Sequence, residues 1–206
     1  MTDEMILVVR RSLLEQLGMF HGLNFDVERY LPALLARENN FFTPRPPAET
    51  NPDLKQIIPY VLLVHDGRVL HYVRGKKAGE QRLAAKGSIG IGGHMNDGDE
   101  GLFALNEVAY MEGVKREVTE ELNVNSTFTN RIVALLNDDT NPVGQVHLGV
   151  VHVFELATDQ VTKREQMITN LAFLTREELV ACRENLESWS QICVDNLDSI
   201  LGDAGK

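Results

Sequence analysis

The chain has 206 residues, 43% of them hydrophobic and 24% charged. That composition suits one domain with a real core and excludes a disordered chain. With 20 Lys and Arg against 30 Asp and Glu, the formal net charge is −10, which excludes general affinity for nucleic acid or an anionic membrane.

The elements follow in chain order. Ile6 to Val9 is rich in β-branched residues and predicts a short strand. Leu13, Leu14 and Leu17, then Val27, Leu31, Leu34 and Leu35, recur at helical spacing. Pro44, Pro46, Pro47 and Pro52 crowd the next stretch, which is expected to lack regular structure. Residues 1–55 are expected to be an N-terminal extension packed on a domain formed by 56–206, because so few residues make a weak core alone.

The middle is β-rich. Tyr60 to His65 and Arg68 to Val73 flank Asp66-Gly67, the dipeptide of a tight type I′ hairpin. Ser88 to Ile91 predicts a short strand interrupted by glycine. Met111 to Leu122 predicts a helix with Met111, Val114, Val118 and Leu122 on its apolar side. Strands are expected at Ile132 to Leu136 and Val146 to Leu156. Near the C-terminus, Thr175 and Glu178 fit a capping box. Trp189, Ile192, Cys193, Leu197, Ile200 and Leu201 form a further helical face. Interleaved strands and helices make the fold class α/β or α+β.

No apolar run approaches the roughly 18–20 residues that cross a bilayer. The start, Met1-Thr2-Asp3-Glu4, is acidic and unlike a secretory signal. A cytoplasmic location is therefore expected, with Cys182 and Cys193 as reduced thiols.

The segment that carries chemistry runs from Gly90 to Val124. It contains Gly90-Ile91-Gly92-Gly93-His94 and, on the expected helix, Arg116-Glu117-Val118-Thr119-Glu120-Glu121. Glu117, Glu120 and Glu121 are three and four residues apart and share one helix face. Clustered carboxylates repel, and a hard divalent cation such as Mg²⁺ or Mn²⁺ compensates them. A solvated acidic face is the simpler reading of the three glutamates alone. The paired glycines add a loop whose backbone can approach a ligand, and a carbonyl there is a further oxygen donor. Arg116 is placed to pair with Glu120 across one turn.

These residues resemble the Nudix hydrolases, whose box reads G-x5-E-x7-R-E-U-x-E-E-x-G-U, with U a bulky aliphatic. Gly93 followed by Asp99 matches the first part, with Asp for Glu; Arg116 to Val124 matches the second, with Asn123 for Gly. Sixteen residues separate Asp99 from Arg116 where the box has seven, an insertion over Glu100 to Val108. A second alignment would use Gly101 and Glu107. Asparagine tolerates the left-handed conformation that ends a helix, so Asn123 is read as a mild departure.

The resemblance implies an α/β/α sandwich with a mixed sheet. It implies that Glu120 and Glu121 are the main metal ligands, that Glu117 is a ligand or acts on water, and that the Gly92 carbonyl joins them. Arg116 would fix the glutamates. The implied reaction is hydrolysis of a diphosphate linkage in a nucleoside-diphosphate-type small molecule, by water attack on phosphorus. An additional acidic base outside the box has three candidates: Asp138, Asp139 and Glu165.

Other residues are expected to meet substrate. Arg74, Lys76, Lys77, Arg82 and Lys86 form a basic group that could steer phosphate; its simpler reading is a solvated hairpin edge. His94 follows the glycines directly. Asp138 lies in the turn-rich run Leu136 to Gly144, a hairpin loop or a substrate rim. His147 and His152 are five apart on one expected strand and so face opposite sides. The alternatives are a non-catalytic sensor of a nucleotide-like ligand and an isoprenoid diphosphate isomerase, which would commonly need a cysteine in the cleft. A homodimer is the commonest oligomer for such a chain.

Overall fold

Asp66 and Gly67 both have positive φ, 49° and 69°. A type I′ turn requires that of its two central residues. The turn joins β4 (Leu54–His65) to β5 (Arg68–Arg74), with Val64 opposite Val69 and His65 opposite Arg68. This is a computed structural model, and it describes residues 4–75, 86–99, 107–166 and 168–202.

Ahead of the hairpin come β1 (Met5–Arg10), α1 (Arg11–Leu17), β2 (Gly22–Asn24), α2 (Val27–Leu35), β3 (Asn40–Pro44) and α3 (Arg45–Ala48). After it come β6 (Gly87–Ser88), β7 (Ile91–Gly92), α4 (Glu107–Glu121), β8 (Leu122–Val124), β9 (Phe128–Asn137), α5 (Pro142–Gln145) and β10 (His147–Leu156). The chain continues through β11 (Val161–Lys163), β12 (Ile168–Leu174), α6 (Arg176–Cys182), α7 (Ser188–Asp195) and α8 (Leu197–Leu201). The main sheet runs β12-β5-β4-β10-β9-β2; β1, β3, β6 and β7 pair off this path, and β8 with β11 forms a separate ribbon. The chain is thus mixed α/β, as its interleaved pattern requires.

Contacts group the chain into two units: Met1–Pro59 with Gly92–Glu117 and Ala134–Val151, and Tyr60–Ile91 with Val118–Val133 and His152–Lys206. In the first, β1 lies between β3 and β4, antiparallel to both. Ile6, Val8, Ala48 and Leu54 form a small apolar cluster there. In the second, β12 pairs with β5 through an irregularity between Thr169 and Ala172. Thr175 and Glu178 make the expected capping box at the start of α6.

Three expectations are corrected. The proline-rich stretch is not without structure: β3 ends at Pro44, Pro46 and Pro47 occupy the first turn of α3, and Pro52 follows in a turn. First-turn N–H groups have no helical partner, so prolines there lose nothing. β4 begins six residues before Tyr60, at Leu54. Lys55, Gln56 and Pro59 hide it from an apolar count, yet Lys55 and Gln56 are wholly buried. Lastly, Asn123 does not end a helix with positive φ. It lies in β8 opposite Thr162, in an extended strand.

Candidate functional site

α4 buries Tyr110, Val114 and Val118 and leaves Glu120 exposed. Helical spacing puts the apolar stripe on one side, and the carboxylates of Glu117, Glu120 and Glu121 share another. The helix end is held by the segment before β12. Arg164 N and Glu165 N donate to the Glu121 carbonyl at 2.9 and 3.1 Å, and Arg164 Nη1 donates to the Thr119 carbonyl at 2.8 Å. A guanidinium there satisfies carbonyls that the helix leaves unpaired and complements its dipole.

Arg116 ties the helix to the glycine loop. Its Nη1 donates to Glu117 Oε1 at 2.7 Å, and its Nη2 donates to the His94 carbonyl at 3.1 Å. The Glu117 side chain is only 13% exposed. A methyl group on Gly93 would overlap the Glu117 carboxylate, so the close approach depends on glycine at this position. The loop before it is held by side chains: the Gly90 carbonyl accepts from Tyr72 Oη and Ser88 Oγ. Gly90 packs so tightly on the Tyr60 ring that a Cβ would overlap it.

His94 Nε2 bonds Gln56 Oε1 at 2.7 Å, and its ring centroid is 5.7 Å from that of His147. Burial pulls the His94 pKa down to about 3, and the charges of Arg45 and His147 act in the same direction. His147 Nδ1 donates to the Val143 carbonyl at 2.6 Å, and burial lowers its pKa too. His152 is fully buried, bonded to Asn130 Oδ1 at 3.0 Å, and pulled by burial to about 3. Both strand histidines are therefore buried and hydrogen-bonded.

The polar run after β9 builds itself. Asp138 is buried; it accepts from Thr140 N at 3.1 Å, Thr140 Oγ1 at 2.5 Å and Asn141 Nδ2 at 2.9 Å. Asp139 accepts from Lys55 Nζ at 2.6 Å and Arg11 Nη2 at 2.5 Å. Burial opposes the charge on Asp139, but its hydrogen bonds to Arg11 and Lys55 outweigh this and hold the pKa below the usual range. Lys55 Nζ also donates to Asn137 Oδ1 and the Gly144 carbonyl at 2.7 and 2.8 Å.

Lys55, Gln56 and Arg11 were not singled out in the sequence. The one signal for Lys55 and Gln56 is a polar pair inside an extended run. Arg74 ends β5, with its backbone opposite Ile168; its side chain lies outside the described residues, as do Lys76, Lys77, Arg82 and the side chain of Asp99. So do residues 100–106 of the insertion, whereas Glu107 and Val108 begin α4. Cys182 and Cys193 are free thiols in α6 and α7. Among the described residues no helix is long and apolar enough to cross a membrane.

Three carboxylates and a backbone carbonyl are hard oxygen donors, and that chemistry fits Mg²⁺ or Mn²⁺. Among the described residues, no group of three or more His, Cys, Asp or Glu is gathered closely enough to hold a metal ion.

No family model matches the chain. It is 35% identical over 204 residues to Protein YmaB of Bacillus subtilis (strain 168), covering 95% of this chain and 98% of that protein. The NUDIX domain of Shewanella oneidensis NrtR, solved with ADP ribose, covers 72% of this chain and 89% of its own at a TM-score of 0.54. At 11% identity that likeness speaks for the fold alone. The crystal structure of Tm1382, designated a candidate Nudix hydrolase, matches with a TM-score of 0.77 and 30% identity, over 94% of this chain and 98% of that one. Likeness of backbone and sequence along nearly the whole of both chains reflects common descent, and the chain belongs to the Nudix family.

Proposed function

We propose that the protein is a metal-dependent hydrolase that cleaves a diphosphate linkage in a nucleoside-diphosphate-type small molecule. The observation that carries this reading is the packing of Gly93 on Glu117, with Arg116 bonded to both the Glu117 carboxylate and the His94 carbonyl. A glycine loop pressed on an acidic helix is what oxygen-rich binding of a cation and a phosphate needs.

Glu120 and Glu121 are the main metal ligands in this proposal, with Glu117 and the Gly92 carbonyl beside them. A bound Mg²⁺ or Mn²⁺ would neutralise phosphate charge and acidify water. Arg116 holds the Glu117 carboxylate in one orientation, as a ligand or a water-orienting group must be held. Arg74 and Arg82 are proposed to meet the phosphates, and His94 the rest of the substrate.

The base outside the box is assigned to Glu165. Its backbone N–H donates to the Glu121 carbonyl, at the end of the acidic helix. Asp138 and Asp139 are committed to bonds within their own loop and to Lys55 and Arg11. In this role Glu165 takes the proton of the water that attacks phosphorus.

A non-catalytic sensor of the same ligand class is the second reading. The extended conformation of Asn123 favours it, because the family pattern has glycine there. The isomerase is disfavoured: Cys193 is fully buried, and Cys182 Sγ bonds the Leu179 carbonyl within its own helix. The test is turnover of a panel of nucleotide sugars, dinucleotides, nucleoside triphosphates and isoprenoid diphosphates with Mg²⁺ or Mn²⁺. Hydrolysis lost in Glu120→Gln supports the enzyme. Binding without turnover supports the sensor.

A further inference from the structure

Gln56 is fully buried, and its Nε2 has no hydrogen-bond partner among the described residues. A buried amide left unpaired destabilises the fold unless something else meets it. Its other atom, Oε1, is taken by His94 Nε2 at 2.7 Å. Turning the amide over would exchange the two roles and leave the oxygen unpartnered instead, so neither orientation satisfies the group.

The surroundings define what would satisfy it. His147 Nδ1 must donate, because the Val143 carbonyl only accepts. That leaves Nε2 of a neutral His147 ring with a lone pair. With its Nε2–H given to Gln56, a neutral His94 likewise keeps a lone pair on Nδ1. The two rings are 5.7 Å apart between centroids. The cluster therefore offers an amide donor and two ring acceptors. A phosphate oxygen, which only accepts, would meet the ring lone pairs. A cation would meet the amide hydrogens. A hydroxyl donates and accepts at once, and it suits both.

Nearby charge agrees. Arg45 of α3 and Glu49, which follows it, act on both histidines and pair with each other at 2.9 Å; Arg45 also pairs with Glu4, and Lys55, which acts on His147, pairs with Asp139. The group they border suits an uncharged ligand. His94 follows Gly92-Gly93 directly, and Arg116 bridges its carbonyl to Glu117.

We propose that Gln56, His94 and His147 form a subsite for a sugar hydroxyl of the substrate, the ribose of a nucleoside diphosphate derivative. The placement of that hydroxyl beside a diphosphate rests on the hydrolase reading above; the hydroxyl chemistry rests on the cluster itself.

The test follows the Gln56 side-chain amide by NMR in the ¹⁵N-labelled full chain, assigned by its loss in Gln56→Met. The protein is titrated without metal with ribose 5-phosphate, ADP-ribose and inorganic phosphate, and diphosphate turnover is measured separately. The two sugars are expected to shift the amide resonances and inorganic phosphate is not. Gln56→Met is expected to weaken ADP-ribose binding about tenfold, the scale of one or two neutral hydrogen bonds. His147→Leu gives the same comparison if Gln56→Met does not fold.

Resonances unmoved by either sugar, in a protein that turns over diphosphates, would overturn the subsite and leave the hydrolase standing; the amide is then met by water alone. A shift with the sugars and no turnover of any diphosphate would support the subsite and overturn the hydrolase. Equal ADP-ribose affinity in parent and variants would overturn the subsite.

Discussion

The carboxylate of Glu117 lies where a side chain on Gly93 would have to be. The glycine loop and the acidic helix are thus in van der Waals contact through two residues 24 positions apart (117 − 93). Arg116 fixes the same approach by bonding both Glu117 and the His94 carbonyl.

Gly93→Ala tests that contact. The methyl group must push the carboxylate aside, and displacements near 1 Å at a catalytic group cost about 10²-fold in rate. The expected result is a loss of about that size in kcat, with the circular dichroism spectrum unchanged. Parent-like activity would mean that the close approach is incidental.

Lys55→Met tests the buried anchor of the loop after β9. The change leaves Asp139 with Arg11 alone and removes the donor shared by Asn137 and Gly144. Breaking a buried ion pair by removing one partner costs about 3–5 kcal/mol. Urea unfolding should show a loss near the lower figure, because the Asp139 side chain is 28% exposed.

His152 predicts acid sensitivity. Its folded pKa of about 3 lies below the ordinary histidine value near 6.5. The unfolded state therefore binds the proton more readily, and stability is full above about pH 6.5 and declines as pH falls toward the folded value. At pH 5 the loss from this one group is about 2 kcal/mol relative to pH 8. Urea melts at the two pH values measure it, and His152→Gln should flatten the difference.

Glu165→Gln tests the assigned base. Loss of general-base catalysis costs about 10²–10⁴-fold in kcat. The loss should fall on kcat, while KM changes little. A folded variant with the parent's kcat would exclude Glu165 from proton transfer.

What the sequence made legible was local. Asp66-Gly67 announced a turn that two positive φ values satisfy, and Thr175 with Glu178 announced a capping box. Both depend on residues within three positions of each other. The box helix was legible for the same reason, since its apolar and acidic positions repeat every turn.

The hidden parts depend on distant partners. Lys55 and Gln56 read as a break in an apolar run until their acceptors, up to 92 residues away, are known. Pro46 and Pro47 read as breakers because only the three-dimensional start of α3 shows their N–H groups to be dispensable. Leu122 continued the helical pattern, yet pairing with Lys163 draws it into β8. His94 was legible as a loop residue; its grouping with Gln56 and His147 was not, because pairing across three chain segments creates it.

The most direct test of the central claim is hydrolysis in ¹⁸O-labelled water, with Mg²⁺ or Mn²⁺ and Glu120→Gln alongside. Mass spectrometry of the products locates the label. We expect ¹⁸O in one phosphate product of a nucleoside diphosphate derivative, in the parent protein and not in a folded Glu120→Gln variant. Label appearing equally with both proteins, or turnover that persists in excess chelator, would contradict the acidic helix as the site of a metal-dependent hydrolase.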